Sequence, residues 1–380
     1  MRIAVNGKTF GIATKGGAVS VAIALVKQIA SLDHAISLHI YIPMENSHGK
    51  SFQALPANVT VHKAFSALYR KSIARSLWEQ ILLPVLIRKH GGYDILINLT
   101  NSAPVLLSPG IPQVLLLHDV SFRNTRWFSR AFSMYLTWVL HRAIKRGIQL
   151  VTVSKTSAAQ IAEMFPTVST VHVIPNDADQ PGDVVKAREL GYRYGLFLGS
   201  LNPRKNLEGA ISGFQNFIAT TRDDLRLLVV GAEKQIFARS RATQAKFGNV
   251  VFRGYVDDLE KWNLLRGADF LLFPSFLEGF GIPILEAMRV GTPVVASDIP
   301  VFRELFEDAV EYVDPHSPAD IGRGIRELHG NVKKKEWMIT RGLEVAKKFS
   351  WTRAAQNYLQ LFAETVKVHN LEHNYRVRGK

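Results

Sequence analysis

Residues 270–299 read FLLFPSFLEGFGIPILEAMRVGTPVVASDI, and this stretch decides the fold. Its first four residues are a continuous apolar run of strand length, as expected of a strand buried on both faces. Pro274 ends the run, and Glu278-Gly279-Phe280-Gly281 turns the chain. Pro283 fits the first turn of a helix, where no intrahelical N–H bond is lost. Gly291 stops that helix, and a second apolar strand follows at 293–296. Strand, glycine turn, helix and strand form the repeating unit of a parallel sheet covered by helices. The turn also lines a helix N-terminus with glycine N–H groups, which favours an anion there. Glu278 precedes the helix and Glu286 lies within it. At ~1.5 Å per helical residue the two carboxylates stand on the order of 10 Å apart. That is too far to share a proton and suits two separate hydroxyl-bearing parts of one ligand.

Upstream, residues 196–207 read LFLGSLNPRKNL. A strand ends at Gly199-Ser200, and Arg204-Lys205 follow just before a helix. Adjacent cations at a strand–loop–helix junction can neutralise a diphosphate that becomes a leaving group.

The same alternation runs outward in both directions. In the first half, strands are predicted at 2–6, 36–42, 59–62, 95–98, 113–118 and 150–153. Helices are predicted at 19–31, 68–90 (interrupted near Pro84), 128–145 and 156–164. A boundary falls near 171–184, where VHVIPND ends a strand and DADQPGD is polar and turn-rich. The pattern then restarts, with strands at 194–198, 226–231 and 250–253 and helices at 206–219, 235–247 and 259–268. Helices follow from Pro318 onward. The reading is α/β: two doubly wound parallel-sheet domains, 1–178 and 179–350. A last helix from Trp351 to about Glu364 and a frayed basic tail, within 351–380, complete the chain. Two such domains facing across a cleft would make that cleft the default ligand site.

Composition agrees with this class. The chain has 380 residues, 47% hydrophobic and 21% charged, enough apolar material for two cores. The absence of cysteine excludes disulfides, thiolate metal sites and a cysteine nucleophile. Net charge is +15, of which +10 falls within residues 1–180. Such a field favours an anionic partner: phosphates, acidic lipid headgroups or nucleic acid. No apolar run approaches the ~18–20 residues that span a bilayer, and the N-terminal stretch lacks the layout of a signal peptide. The expected location is cytoplasmic, with a peripheral place on the inner face of the cell membrane.

Several nucleotide motifs fail on inspection. Gly7-Lys8-Thr9 and Gly49-Lys50-Ser51 look like the end of a P-loop, but Arg2 and Met44 stand where its first glycine belongs. No GxGxxG follows a strand. Asp177-Ala178-Asp179 spells the DxD of metal-dependent sugar transferases but sits in a linker-like segment without further ligands. No metal site is assigned.

Taken together, these motifs resemble those of the retaining GT-B glycosyltransferases, in particular glycosyltransferase family 4 (group 1). Within that group they are similar to bacterial surface-polysaccharide mannosyltransferases. The carriers are Gly199-Ser200 with Arg204-Lys205, the Glu278/Glu286 pair, and Gly254-Tyr255-Val256. The resemblance implies GT-B architecture, with the first domain binding acceptor and the second the donor. It implies that Arg204 and Lys205 hold the donor diphosphate, Glu286 the ribose hydroxyls and Glu278 the sugar hydroxyls. Gly279, Phe280 and Gly281 would give backbone contacts to sugar and phosphate, and the backbone at Tyr255-Val256 would hold the base. In the first half, Gly16-Gly17 resembles the glycine loop near the donor phosphate. His118-Asp119 resembles an HD pair whose His orients a donor-sugar hydroxyl. Ser154 and Asn176 match family positions too. Asp177 departs from the pattern, which has Gly after that Asn, and TKGGAVS lacks the basic residue that follows the glycines in relatives.

The implied chemistry is retaining, metal-independent and cofactor-free hexosyl transfer from a nucleotide-diphosphate sugar. GDP-mannose is the favoured donor and a UDP-sugar the other. The acceptor is a saccharide, expected on a polyprenyl diphosphate because SLWEQILLP (76–84) resembles members that build on that carrier. Basic residues (Arg70, Lys71, Arg75, Arg88, Lys89 and, later, Arg123, Arg126, Arg130, Arg142, Lys145, Arg146) interleave with Leu77, Trp78, Ile81, Phe128, Phe132, Tyr135 and Trp138. Basic amphipathic helices of this kind suit an anionic membrane surface or simply a core face with solvated charges. Two rival readings are a nucleotide-sugar epimerase or hydrolase on the same fold and a basic nucleic-acid-binding protein. No helix-turn-helix, RRM or OB pattern supports the latter.

Overall fold

The structure, a computed structural model, describes residues 1–10, 17–43, 55–64, 72–179, 186–200, 202–221, 223–231 and 248–378. The chain forms two compact units, Met1–Asn176 with Ser350–Lys380, and Asp177–Phe349.

The first unit is built on seven parallel strands: β1 (Arg2–Asn6), β2 (Ser37–Ile42), β3 (Val59–Lys63), β4 (Ile95–Asn98), β5 (Gln113–Leu116), β6 (Gln149–Thr152) and β7 (Val171–Val173). Their order is β3-β2-β1-β4-β5-β6-β7. The second unit has six: β8 (Arg193–Leu198), β9 (Leu225–Val230), β10 (Val250–Gly254), β11 (Phe270–Phe273), β12 (Val294–Ser297) and β13 (Glu311–Val313). They too are all parallel, in the order β10-β9-β8-β11-β12-β13. In each sheet the chain winds first one way and then the other from its opening strand. The winding reverses between β1 and β4 and between β8 and β11. Ligands of open α/β sheets bind beyond the carboxyl ends of the strands at such a reversal. The two positions to examine are therefore the loops after Asn6 and Asn98, and those after Leu198 and Phe273.

The central strands are apolar on both faces because helices cover both. Phe197, Leu227, Val229, Phe270 and Leu272 are fully buried against Phe214 and Phe217 of the helix Leu207–Ile218. Gly195 is required by close approach, since a Cβ there would lie 2.4 Å from the Phe270 ring. In the first unit, Leu115, Leu117 and Leu150 pack with Leu136, Val139 and Leu140 of the helix Arg130–Lys145.

Three points refine the sequence reading. The helix expected to be interrupted near Pro84 is interrupted by a π-helical turn, Trp78–Leu82, between Ser72–Leu77 and Leu83–His90. Pro84 has no N–H for the carbonyl four residues back. That carbonyl, on Gln80, accepts Leu107 N instead at 3.4 Å, so the helix continues. The last helix runs Trp351–Arg378, well past Glu364, and packs on the helix Gly17–Leu32 of the first unit. The third point is the pair formed by β13 and the short helix Pro300–Phe306, which were not anticipated. The expected helix at 235–247, most of the 11–17 glycine loop, Gly49-Lys50-Ser51, Arg70 and Lys71 lie outside the described residues.

Candidate functional site

The second unit's reversal point brings two loops together. After β8, Asn202 caps a short 3₁₀ turn, Pro203–Lys205, by accepting Arg204 N at 3.0 Å. Asn206 then adopts a left-handed conformation (φ 57°) and caps the helix Leu207–Ile218, accepting Gly209 N at 3.2 Å. Its Nδ2 donates to the carbonyls of Pro274 (3.0 Å) and Pro315 (2.7 Å). Phe276 N donates to Arg204 O at 2.8 Å. The loop after β8 is thus bonded to the loop after β11, which fixes where its cations point.

Both cations meet Glu278. Arg204 Nη1 donates to Glu278 Oε2 at 2.9 Å and to Leu277 O at 3.0 Å. Lys205 Nζ donates to Glu278 Oε1 at 2.5 Å and lies 4.5 Å from the Phe273 ring centre. Glu278 is buried, and burial alone would raise its pKa. The charges of Lys205 and Arg204 outweigh that and hold it below the usual carboxylate range.

Gly281 opens the helix Ile282–Arg289 at φ 112°, and a Cβ there would lie 2.9 Å from the Phe302 ring. Glycine is needed for both conformation and space. Phe280 is buried edge-to-face on Phe349, so its side chain belongs to the core. Glu286, on the same helix, accepts Lys261 Nζ at 2.5 Å from the helix Asp258–Gly267. Burial raises the Glu286 pKa despite that lysine. Lys261 is raised in turn, the neighbouring Glu286 outweighing burial.

The remaining residues of this unit fall around the same edge. Gly199 N donates to Val230 O at 3.1 Å, and Ser200 is exposed. Tyr255, 68% exposed, follows β10 with Val256. Asp177 is buried and ion-paired with Arg289 at the end of the helix that Gly281 opens. Arg289 also donates to Ala178 O. Asp177 therefore serves as the counter-ion of Arg289.

His118 and the residues around it lie in the first unit. His118 follows β5; its N donates to Asn101 Oδ1 at 2.8 Å, and its Nε2 stands 3.2 Å from Leu99 O. A carbonyl can only accept, so Nε2 carries the proton and Nδ1 is the ring's acceptor when neutral. Burial lowers the His118 pKa, opposed by Asp119 and Leu99 O. Ser154 caps the helix Lys155–Met164, accepting Ser157 N at 3.1 Å. Asn176 is buried at the end of this unit. Gly17 opens the helix Gly17–Leu32, and Gly16 lies outside the described residues. Sequence reasoning missed Lys261 and Arg289, because their partners are remote in sequence; the asparagine caps, whose partners are two and three residues on, carried a local signal.

A doubly wound pair of sheets with paired cations and a glycine-opened helix at one reversal point fits a GT-B-type glycosyltransferase. Residues 183–345 match the family model "Glycosyl transferases group 1", and residues 15–179 match "Glycosyltransferase Family 4". The chain belongs to this group 1, family 4 class of glycosyltransferases. Among relatives, it is 29% identical over 253 residues to O-antigen chain mannosyltransferase B of Escherichia coli, covering 63% of this chain and 66% of that protein. It is 28% identical to phosphatidyl-myo-inositol mannosyltransferase of Mycobacterium tuberculosis, covering 73% and 75%. In fold it is similar to sucrose-phosphate synthase from Thermosynechococcus elongatus, with TM-score 0.78, 16% identity, and coverage of 96% and 100%.

Proposed function

We propose that this chain is a retaining, metal-independent hexosyltransferase. It moves a mannosyl residue from GDP-mannose to a saccharide acceptor borne on a lipid diphosphate, in cell-surface polysaccharide assembly. The convergence of Arg204 and Lys205 on Glu278 between the ends of β8 and β11 carries this reading. The mannosyltransferase names of two relatives favour the sugar.

In the reaction, an acceptor hydroxyl oxygen bonds to the anomeric carbon. The bond from that carbon to the β-phosphate oxygen breaks, and its electron pair leaves with the nucleoside diphosphate. The acceptor's proton passes to the departing phosphate on the same face, which retains configuration. Charge grows on the diphosphate as the bond lengthens. Arg204, Lys205 and the positive end of the helix opened by Gly281 take it, in the role a divalent cation would otherwise fill. Glu278 sets both cations and faces the sugar hydroxyls, with Gly279 and Phe280 contributing backbone. Glu286, fixed by Lys261, takes the ribose hydroxyls. Tyr255 and Val256 hold the base by backbone, Gly199 and Ser200 border the phosphates, and His118 orients a sugar hydroxyl.

The enzyme works as a peripheral protein on the cytoplasmic face of the membrane. Leu77, Ile81 and Val85 are exposed at four-residue spacing, and Met134 and Trp138 are exposed on the helix Arg130–Lys145. Gln80 Nε2 donates to Tyr135 OH at 3.2 Å between the two helices. Arg130, Arg142 and Lys145 surround the apolar residues, a composition suited to anionic headgroups. Among the described residues no helix is long and apolar enough to cross a membrane.

Thermal-shift titration with GDP, UDP and ADP tests the donor assignment. GDP should raise Tm in proportion to RT ln(1 + [L]/Kd). Arg204→Ala and Lys205→Ala should each lower kcat by about 10²–10³-fold. No shift with any nucleotide, or undiminished turnover in both variants, refutes the reading.

A further inference from the structure

The first unit has its own reversal point, between β1 and β4, and a buried ion pair occupies it. Glu79 is 0% exposed and lies on the π-helical turn Trp78–Leu82, a distortion that recurs at functional sites. Its Oε1 accepts Asn6 Nδ2 at 2.8 Å, from the last residue of β1. Its Oε2 accepts Ser102 Oγ at 2.6 Å, from the loop after β4, and Lys8 Nζ at 2.7 Å, from the loop after β1. Asn6 Nδ2 also donates to Asn98 Oδ1 at 2.9 Å, joining the ends of β1 and β4. Asn101, beside Ser102, has φ 61° and holds His118 N. One set of bonds therefore runs from Lys8 to the loop that carries His118.

A carboxylate sealed beneath an ammonium is rarely a net gain in stability over apolar packing. What it does is hold the ammonium in place. Glu79 is closed off from solvent, whereas the Lys8 side chain keeps 12% of its surface exposed. The side of the pair that faces outward is thus the cation. Its contact with Ser102 Oγ, at 3.4 Å, is long, and an anionic oxygen can take its place. No Asp or Glu occurs between Asp119 and Glu163, while Arg123, Arg126 and Arg130 lie in that segment.

We propose that Lys8, positioned by Glu79, is the phosphate-binding group of the acceptor site. The ligand class is a phosphate or diphosphate, carried by the lipid-linked acceptor or free. The inference rests on the transferase reading above for its acceptor but concerns a different unit from the nucleotide.

Calorimetric titration of the full chain with farnesyl diphosphate, inorganic pyrophosphate and farnesol tests it, with GDP titrated separately as a control on the second unit. Farnesyl diphosphate should bind the wild type in the presence of saturating GDP. Lys8→Met should weaken that binding about ten- to a hundredfold while leaving GDP affinity unchanged. Lys8→Arg should largely restore it. Pyrophosphate binding with the same Lys8 dependence assigns the site to the phosphates alone; binding of farnesyl diphosphate only assigns it to the lipid-linked form. Because Lys8→Met strands a buried carboxylate, Lys8→Met/Glu79→Gln supplies a second neutral variant and should lose binding equally. Unchanged affinity for farnesyl diphosphate in a folded variant overturns the proposal. So does farnesol binding that falls in step, or displacement of farnesyl diphosphate by GDP. Failure of GDP itself to bind the wild type would instead count against the donor reading.

Discussion

Lys205 Nζ and Glu278 Oε1 meet at 2.5 Å across 73 positions of sequence. The pair sits where β8 and β11 end side by side, and Arg204 shares the same carboxylate. Glu278 therefore fixes two cations at once, and the consequences of removing it differ from those of removing either cation.

Glu278→Gln should leave Lys205 buried without its counter-ion and lower stability by about 3 kcal/mol, measured by urea unfolding at pH 7. The effect carries a pH signature. The folded carboxyl titrates below its usual value of 4.5, so its stabilising contribution is complete above that value. It is lost as pH falls through the lowered one. Wild type and Glu278→Gln should differ by a constant amount from pH 6 to 8 and converge only in strong acid.

Lys261→Met should destabilise comparably, because Glu286 is buried and already raised above its ordinary range. Adding Glu286→Gln should recover much of the loss. A double-mutant cycle on unfolding free energy measures this, and a coupling near zero would contradict the pairing.

A histidine cluster in the first unit should make the fold acid-sensitive. His39 Nδ1 lies 2.8 Å from His62 Nε2, and Arg2 Nε 3.3 Å from His39 Nε2. His90 bonds Tyr41 at 2.6 Å, and Tyr41 bonds Tyr93 at 2.8 Å. Burial first, then Arg2 and the neighbouring imidazoles, lowers His39 to about 4, and His62 is lowered as well. Unfolding lets both take up protons near 6.5. Stability is therefore complete above that pH and falls as pH drops toward 4. The urea midpoint should be lower at pH 5 than at pH 7.5, and His39→Gln should flatten the difference.

Gly281→Ala should cost about 2 kcal/mol or more, from a left-handed backbone and the crowding of Phe302 together. Nucleotide affinity should fall with it, read by calorimetry against a Gly248→Ala control, where a Cβ meets nothing within 4 Å.

Much of the second unit was legible because its signals are local. Arg204 and Lys205 are adjacent, and Gly281 announces the helix that its own φ permits. The pairings were not legible. Asp177 and Arg289 are 112 positions apart, and Lys8 and Glu79 are 71 apart. No spacing rule links them; the strand order does. The form of the interruption near Pro84 was hidden for a related reason. Proline argues locally for a break, but Leu107, 23 residues downstream, accommodates the carbonyl it orphans.

The assignment of Ser350–Lys380 to the first unit has a consequence for biosynthesis. Tyr358 and Phe362 are buried, and Gln28 Nε2 donates to Thr352 Oγ1 at 3.1 Å. Domains usually mature in order of emergence from the ribosome. Here the half translated first waits for a helix translated after the other half is complete. Until then, the apolar flank that receives Tyr358 and Phe362 stays open to chaperones and to other nascent chains.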